Sequence, residues 1–346
     1  MKRILFSLFL ILTTSTLFAL PDLIEKQAIK TSGTNTINLD LAWEDVEIQE
    51  SNQSGTIIVE IYCNKKKWAP EIKASGSSVT VKSISLKNYI SIGEQRKCTV
   101  IVKIPDNTQL QTINLETTSG DIHSQTVINA DSFSTKSSSG DQSFTSKIFA
   151  KTATFASTSG DIFVDSLYSP NLKASSTSGS IKFNTYEGQN ASLGATSGSI
   201  KLTNATIEKG LINTTSGSIT VEGTISNAFD VSATSGTIGL ELNSAPSSRS
   251  RATATSGTIF VGLPGNDDFS LWVQTTSGTF TNAITKEKIS SHANYKQDIN
   301  KGGVVIMLSS TSGRITVDSS NGFTAKIVED KIDTDVPIVS FDDPIF

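Results

Sequence analysis

Residues 191–221 have the sequence ASLGATSGSIKLTNATIEKGLINTTSGSITV, and this stretch decides the fold. It contains Thr-Ser-Gly-Ser-Ile twice, with the glycines at positions 198 and 217. After each Gly the apolar residues alternate with polar ones, as in Ile200 and Leu202. A spacing of two is typical of strands that bury one face. Each copy therefore predicts a strand, a Thr-Ser-Gly corner and a second strand.

The same unit recurs along most of the chain. From Gly120 onward the Ser-Gly dipeptide occurs ten times, with eight steps of 19 to 21 residues and a final step of 35. Repeats of this length are typical of solenoids, in which each unit buries its apolar face against its neighbours. We predict an all-β chain that forms a single-chain parallel β-helix with rungs of 19–22 residues. The corner glycines are Gly120, Gly140, Gly160, Gly179, Gly198, Gly217, Gly236, Gly257, Gly278 and Gly313.

The corner should admit only small side chains. The residue three before the Gly is Thr, Ser or Ala in all ten units. We expect the Gly to adopt a positive φ, which other residues take only at a cost in free energy. Stacked Thr and Ser hydroxyls should hydrogen-bond from rung to rung. A weaker echo of the unit occurs at Gly33, Gly55 and Gly76.

Composition excludes several classes of protein. The 346 residues include 29 Lys+Arg and 33 Asp+Glu, a net charge of −4, and only 18% are charged. Soluble domains typically contain about 25% charged residues. These values argue against a coiled coil and against a basic nucleic-acid binder, so we expect no nucleic-acid partner.

The N-terminus predicts export. Lys2 and Arg3 precede an apolar run at residues 4–12, and residues 13–19 then bring in the small and polar residues expected before a cleavage site. We predict a signal peptide at 1–19 and a mature chain at the cell surface, in the periplasm or secreted. An uncleaved anchor is the alternative. No later stretch reaches about 18 apolar residues, so we expect no transmembrane span in the mature chain.

The two cysteines, Cys63 and Cys98, both lie in strand-like runs. In an exported protein an even number of cysteines indicates a disulfide, although two buried thiols are the alternative. We divide the mature chain into an N-terminal β region at 20–105 that caps the solenoid, the solenoid at 106–320, and a C-terminal cap or tail at 321–346. Caps are needed because an open rung exposes unpaired backbone groups.

Thr-Ser-Gly-Asp-Ile at 118–122 resembles the unit of the bacterial putative-adhesin family of β-strand-repeat proteins, a family built on a domain of unknown function. Residues 102–105 (VKIP) resemble the segment before the family's first repeat, and residues 302–306 (GGVVI) resemble its closing unit. The resemblance spans roughly residues 28–320 and implies a right-handed parallel β-helix exposed in the envelope. From residue 180 onward Ser or Thr replaces the family's Asp after the Gly. The family offers no catalytic residues to carry over.

Asp121, Asp141 and Asp161 occupy one column in three consecutive repeats. Stacked carboxylates repel one another, and a cation such as Ca²⁺ would relieve that repulsion. The alternative is turn aspartates that accept backbone hydrogen bonds. His123 should face the same side as this column. We predict no metal site, no cofactor and no catalytic residue.

An insertion at 282–301 accounts for the step of 35 residues. Its candidate binding residues are Lys286, Lys288, His292 and Tyr295, since long loops on a rigid scaffold often carry function. A tolerated surface excursion is the alternative. Two aromatic residues three after the Gly, Phe163 and Phe260, should point outward. Arg249 and Arg251, in a Ser-rich turn, should be solvated.

The sequence thus favours a non-enzymatic, exported envelope protein whose β-helix provides an adhesin-like binding or assembly surface. Its partner would be an envelope or host-surface protein or a glycan. The first alternative is a periplasmic scaffold, or a partner binder linked to envelope stress. The second is a carbohydrate-active enzyme, which would need acids and bases clustered on one face.

Overall fold

The computed structural model describes residues 21–84, 96–290 and 294–320. The predicted signal peptide at 1–19, the C-terminal segment at 321–346 and His292 lie outside these residues. The described chain is all-β, with two 3-10 turns at Thr31–Gly33 and Lys66–Trp68. Its strands are β1 Asp22–Lys30, β2 Thr36–Asp40, β3 Asp45–Ser51, β4 Thr56–Cys63, β5 Glu71–Ser75, β6 Ser78–Lys82, β7 Cys98–Pro105, β8 Leu110–Thr117, β9 Ile122–Ser124, β10 Ile128–Ser137, β11 Gln142–Ser157, β12 Ile162–Tyr168, β13 Asn171–Ser176, β14 Ile181–Glu187, β15 Asn190–Ala195, β16 Ile200–Thr214, β17 Ile219–Ala233, β18 Ile238–Leu242, β19 Ser250–Ala254, β20 Ile259–Leu263, β21 Phe269–Thr275, β22 Thr279–Asn282, β23 Glu287–Ser290, β24 Asn294–Ile299, β25 Val304–Ser310 and β26 Arg314–Ser319.

Strands of successive repeats pair in parallel, so the chain forms a β-solenoid-like stack. Ile181 pairs with Ile162 on one side and with Ile200 on the other, and equivalent residues therefore lie above one another. One row of strands precedes the corners and a second row follows them. Because the repeats pair in register, side chains at equivalent positions of successive repeats lie above one another along each row.

Alternate residues of both rows fill the interior. Positions two and four after the Gly are buried, as in Ile200, Leu202, Ile219 and Val221, and so are positions five and seven before it. Burial of each such side chain stabilises the fold by roughly 1.5–3 kcal/mol. The alternation that predicted the strands is therefore the pattern of the core.

In the column two residues after the corner Gly, Gln142 stands where the other repeats have an apolar residue. Gln142 is buried and lies between Ile122 and Ile162 of the neighbouring rungs. Its Oε1 accepts a hydrogen bond from Thr135 Oγ1 at 2.5 Å, and its Nε2 donates to Ser137 Oγ and to the Ala156 carbonyl. A buried amide is tolerated here because each of its polar atoms has a partner.

Rungs at the N-terminal end do not follow chain order. β2 lies between β8 and β6, and β3 lies between β9 and β7. The rung formed by β2 and β3 is therefore inserted between the rung formed by β6 and β7 and the first Thr-Ser-Gly rung. The stack thus extends into the region that the sequence assigned to a cap. The cap itself is antiparallel: β4 pairs with β7, β1 with β4, and β5 with β6.

The opposite end has the same kind of insertion. β25 lies between β19 and β21, and β26 lies between β20 and β22. The repeat of Gly313 is the last in sequence, yet it is the last but one in the stack. β24 and β23 then pair antiparallel with β21 and β22 and cover the final rung. The prediction of a loop at residues 282–301 was wrong. This segment forms β23 and β24, whose backbone groups hydrogen-bond to the final rung.

A disulfide and a buried carboxylate tie the N-terminal cap to the stack. Cys63 of β4 and Cys98 of β7 lie opposite each other and are disulfide-bonded. Glu60 is almost fully buried, and its oxygens lie 2.7 Å from Lys26 Nζ and 2.8 Å from Lys103 Nζ. Burial alone would raise the pKa of Glu60. Hydrogen bonds from Lys103, Lys26 and Tyr62 outweigh burial and lower this pKa to about 2.

Candidate binding surfaces

Close backbone approach, not a positive φ, explains the corner glycines. None of the ten corner glycines, all of which are described, has a positive φ. A Cβ on Gly198 would lie 1.8 Å from the Gly179 carbonyl oxygen, and a Cβ on Gly217 would lie 1.7 Å from that of Gly198. Corresponding distances at all ten corners are 1.6–2.1 Å. The expected positive φ was wrong: each rung rests on the carbonyl of the rung beneath it, and this leaves no room for a side chain. Gly55 and Gly76 do have positive φ but belong to other turns.

The small residues before the Gly hold the corner mainly through the backbone. Gly179 N–H donates to Ser176 Oγ at 2.7 Å, and Gly217 N–H donates to Thr214 Oγ1 at 3.0 Å. Thr214 Oγ1 also donates to the carbonyl of Gly198 in the next rung, at 3.4 Å. These contacts run from hydroxyl to backbone, and one pair of hydroxyls, Ser277 Oγ and Ser312 Oγ, also hydrogen-bonds between rungs at 3.3 Å.

The aspartate column forms a ladder of carboxylates and backbone amides. Asp141 N–H donates to Asp121 Oδ1 at 2.8 Å, and Asp161 N–H donates to Asp141 Oδ1 at 2.7 Å. Asp45, which the sequence analysis did not include, begins the ladder by accepting from Asp121 N–H. Burial raises the pKa of Asp45 and that of Asp161, and repulsion between neighbouring carboxylates adds to this. These carboxylates are acceptors of inter-rung hydrogen bonds.

Among the described residues, no three His, Cys, Asp or Glu side chains are grouped so as to hold a metal ion. His123 pairs in register with Glu47 and Ser143, and its Nε2 lies 3.0 Å from Gln125 Nε2. The hydrogen-bonding partner of His123 is therefore Gln125, two residues along the same face, rather than an aspartate of the ladder.

The predicted binding residues of the insertion lie in the antiparallel cap. Lys286 is in the turn before β23 with φ 63°, and Lys288 lies on β23 opposite Thr281. Tyr295 lies on β24, where its ring packs against Phe280 at 4.9 Å and its hydroxyl bonds to Glu287 and Gln297. Tyr295 therefore contributes to packing of the cap, while the two lysines remain exposed.

A second acidic row, which the sequence analysis missed, lies five residues after the corner. Glu222 pairs with Glu241, and Gly262 separates Glu241 from Asp318. Oε2 of Glu241 is buried and has no hydrogen-bond partner among the described residues. Burial, followed by repulsion from Glu222 and Asp318, raises the pKa of Glu241 to about 7.

This carboxylate should make stability depend on pH. The pKa of Glu241 is raised in the folded state. Its contribution to stability is therefore complete below the ordinary pKa of 4.5 and is lost as the pH rises through about 7. We expect the temperature of the unfolding midpoint to decrease as the pH is raised from 5 to 8. In Glu241→Gln this fall should be smaller, and the variant should melt above the parent at pH 8. Glu208→Gln, which removes an exposed carboxylate, is the control; identical pH profiles for parent and Glu241→Gln would contradict the prediction.

Aromatic side chains stand on the outer surface at the edge opposite the corners. Phe149 is 39% exposed, and its ring stacks on that of Tyr168 in the next rung, with centroids 4.9 Å apart and planes 14° from parallel. Phe149 pairs on its other side with Asn129, so the aromatic stack does not continue in that direction. Val127 is also 39% exposed and precedes Asn129 by two residues. We call Val127, Phe149 and Tyr168 the aromatic edge.

A groove continues from the aromatic edge across the next rungs. Its volume is about 490 Å³, and Tyr168 and Pro170 form its apolar wall. Glu187, Gln189 and Glu208 supply carboxylate and amide groups along it. The described lining contains no Lys, Arg or His. It therefore combines an apolar wall with several hydrogen-bond acceptors, and its charge is negative.

The sequence pattern of one family covers nearly the whole of this stack. The Toastrack DUF4097 family profile matches residues 34–243 and 169–318. The chain belongs to the Toastrack DUF4097 family. Resemblance of the Thr-Ser-Gly units to an adhesin family of unknown function is thereby confirmed. No curated protein matches this Toastrack chain.

The Toastrack chain is similar to several solved structures. A putative adhesin from Parabacteroides merdae is 15% identical, with 68% of this chain and 90% of that chain covered and a TM-score of 0.45. A putative lipid binding protein from Parabacteroides distasonis is 15% identical, with 85% and 96% covered and a TM-score of 0.44. A putative adhesin from Bacteroides fragilis is 13% identical, with 86% and 97% covered and a TM-score of 0.41. In the described part of the Toastrack chain, no helix is long and apolar enough to span a membrane.

Proposed function

We propose that this Toastrack protein is exported to the cell envelope or the medium and acts there as a non-enzymatic, adhesin-like binding protein. Its stack would wind right-handed with rungs of 19–22 residues and hold its ligand on the outer face. Its partner is a glycan of the envelope or of a host surface, bound at the aromatic edge and the groove beside it.

Exposure of the stacked Phe149–Tyr168 pair carries this proposal. An aromatic ring that is 39% exposed on a rigid sheet has apolar area available to a ligand. The apolar C–H face of a pyranose ring can pack against such a ring. Sugar hydroxyls can then donate to Glu187, Gln189 and Glu208 along the groove.

Charge narrows the class of glycan. Glu187 and Glu208 contribute negative charge, and no basic residue in the described lining offsets it. An acidic sugar would be repelled by these carboxylates. The groove therefore suits neutral or amino sugars.

A glycan array with the purified mature chain tests the proposal. We expect binding to neutral or amino-sugar glycans, and a loss of at least tenfold in Phe149→Ser/Tyr168→Ser, because both rings of the platform are removed. Phe163→Ser is the matched control: Phe163 is also a partly exposed aromatic residue, but it lies in another row, with Lys182 Nζ 5.6 Å from its ring centre. Circular dichroism should show that all variants remain folded.

Three outcomes would contradict the proposal. Absence of binding to every neutral or amino sugar would exclude the assigned ligand class, and unchanged binding by the double variant would exclude the aromatic edge. Release of reducing ends from a bound glycan would indicate the enzyme alternative instead. Biotin labelling of intact cells, with lysed cells as control, separates surface display from a periplasmic scaffold.

A further inference from the structure

A second surface of different charge lies near the C-terminal end of the stack, on strands that precede the corners. Five outward residues of adjacent strands pair in the order Asp230, Arg251, Met307, Trp272 and Lys296. They form one continuous row only because β25 is inserted between β19 and β21. Arg249, two residues before Arg251, extends over the same row. We call Arg249, Met307, Trp272 and Lys296 the cationic patch.

Two cations of this patch converge on one indole ring. Lys296 Nζ lies 4.2 Å from the centre of the Trp272 ring, and the Arg249 guanidinium lies 5.6 Å from it. Arg249 also contacts Met307 Sδ through Nε at 3.2 Å and through a terminal nitrogen at 2.7 Å. The patch holds both cationic groups in defined positions, since each rests on Trp272. Arg249 is exposed, in line with the prediction that it is solvated, but its guanidinium also contacts Trp272 and Met307.

Neither cation has an acidic partner among the described residues, whereas their neighbour Arg251 does. Arg251 donates from two nitrogens to the two carboxylate oxygens of Asp230, at 3.2 and 2.5 Å. On β24 Asp298 accepts a hydrogen bond from Ser270. Within this row the positive charges of Arg249 and Lys296 are therefore not neutralised by a carboxylate, although the net charge of the chain is −4.

Polar groups border the patch on both sides. Gln274, Asn294 and Ser309 line a narrow cleft beside Trp272, together with Thr253. A wider depression of about 310 Å³ lies on the side of Arg249, with Phe229 and Asp230 in its lining. These amides and hydroxyls can donate and accept hydrogen bonds, as the hydroxyl groups of a saccharide require.

We propose that the cationic patch binds the carboxylate of an acidic saccharide. A guanidinium forms paired hydrogen bonds to a planar carboxylate, and Lys296 adds a second positive charge beside the same ring. Gln274, Asn294 and Ser309 then bind hydroxyl groups of the sugar. The site is separate from the aromatic edge, whose acidic groove disfavours such a ligand, and it does not depend on that function.

Isothermal titration with oligogalacturonate tests the proposal, with the methyl-esterified oligosaccharide as the neutral counterpart. We expect binding of the acid form only, weakened at least tenfold in Arg249→Gln and in Lys296→Gln. Lys301→Gln is the matched control, because Lys301 is exposed and follows β24 by two residues but lies outside the patch. Thermal melts should show that the variants remain folded. Binding should also weaken as salt is added, since both cations are exposed.

Equal binding of the ester would overturn the proposal, as would unchanged binding by both patch variants. A loss in Lys301→Gln as large as in the patch variants would indicate general charge attraction and would also overturn it. Equal affinity for dextran sulfate would reject carboxylate recognition. Loss of binding in Phe149→Ser/Tyr168→Ser would place the ligand at the aromatic edge and would count against the patch.

Discussion

Gly198→Ala is expected to lower the free energy of unfolding by about 3 kcal/mol, the upper end of the usual effect of overpacking. The added Cβ would lie 1.8 Å from the Gly179 carbonyl oxygen and 2.7 Å from its carbon. Each of the two corners lies between strands that pair with the neighbouring rung, so neither backbone can move without disturbing that pairing. Denaturant unfolding followed by circular dichroism measures the effect. Gly198→Val should be destabilised at least as strongly.

Gly33→Ala is the matched control for this substitution. No heavy atom lies within 4 Å of the position that its Cβ would occupy, and its φ is not positive. We expect this variant to unfold like the parent or slightly later, because Ala reduces the freedom of the unfolded chain. If Gly198→Ala and Gly33→Ala unfold at the same denaturant concentration, the close stacking of the corners is wrong.

Leu202→Asp should be still more harmful, with a loss of about 3–5 kcal/mol, as for other uncompensated buried charges. Leu202 is fully buried and pairs with Phe183 on one side and Val221 on the other. The carboxylate would meet only apolar side chains in these two rungs, so it could neither ionise nor find a donor without opening the stack.

Asn213→Asp provides the comparison on the same strand. Asn213 is partly exposed and outward-facing, so the new carboxylate stays in contact with water. We expect its thermal midpoint to lie close to that of the parent at pH 7, while that of Leu202→Asp falls well below both. Equal midpoints for the two aspartate variants would show that the inward and outward columns have been exchanged.

The columns of the stack could be read from the sequence because each follows from local chemistry. Alternation around the corner marked Leu202 as inward, and small residues before the Gly marked a crowded turn. The reason for Gly itself was misjudged. The sequence of one repeat does not give the distance to the carbonyl of the neighbouring rung. The backbone angle φ was therefore the only reason for Gly that could be inferred from it.

The aromatic edge was missed although its signal is present. Phe149 and Tyr168 both lie eleven residues before their corner glycines, which places them in one column. Their outward direction could not be inferred by counting from the preceding corner. A register shift between Phe144 and Lys147 breaks the alternation there. A bulge of this kind arises from pairing with the neighbouring rung.

By itself, the sequence determined that this chain is all-β, that its repeats stack in parallel and which residues share a column. Those properties depend on spacing and side-chain size within one repeat. Only the tertiary structure decided the order of the rungs at both ends. Met307 lies between Arg251 and Trp272 because the last repeat pairs with β19 and β21 rather than following β22. Repeats with nearly identical edges can pair in more than one order, so the antiparallel strands that cover the terminal rungs at each end select the order.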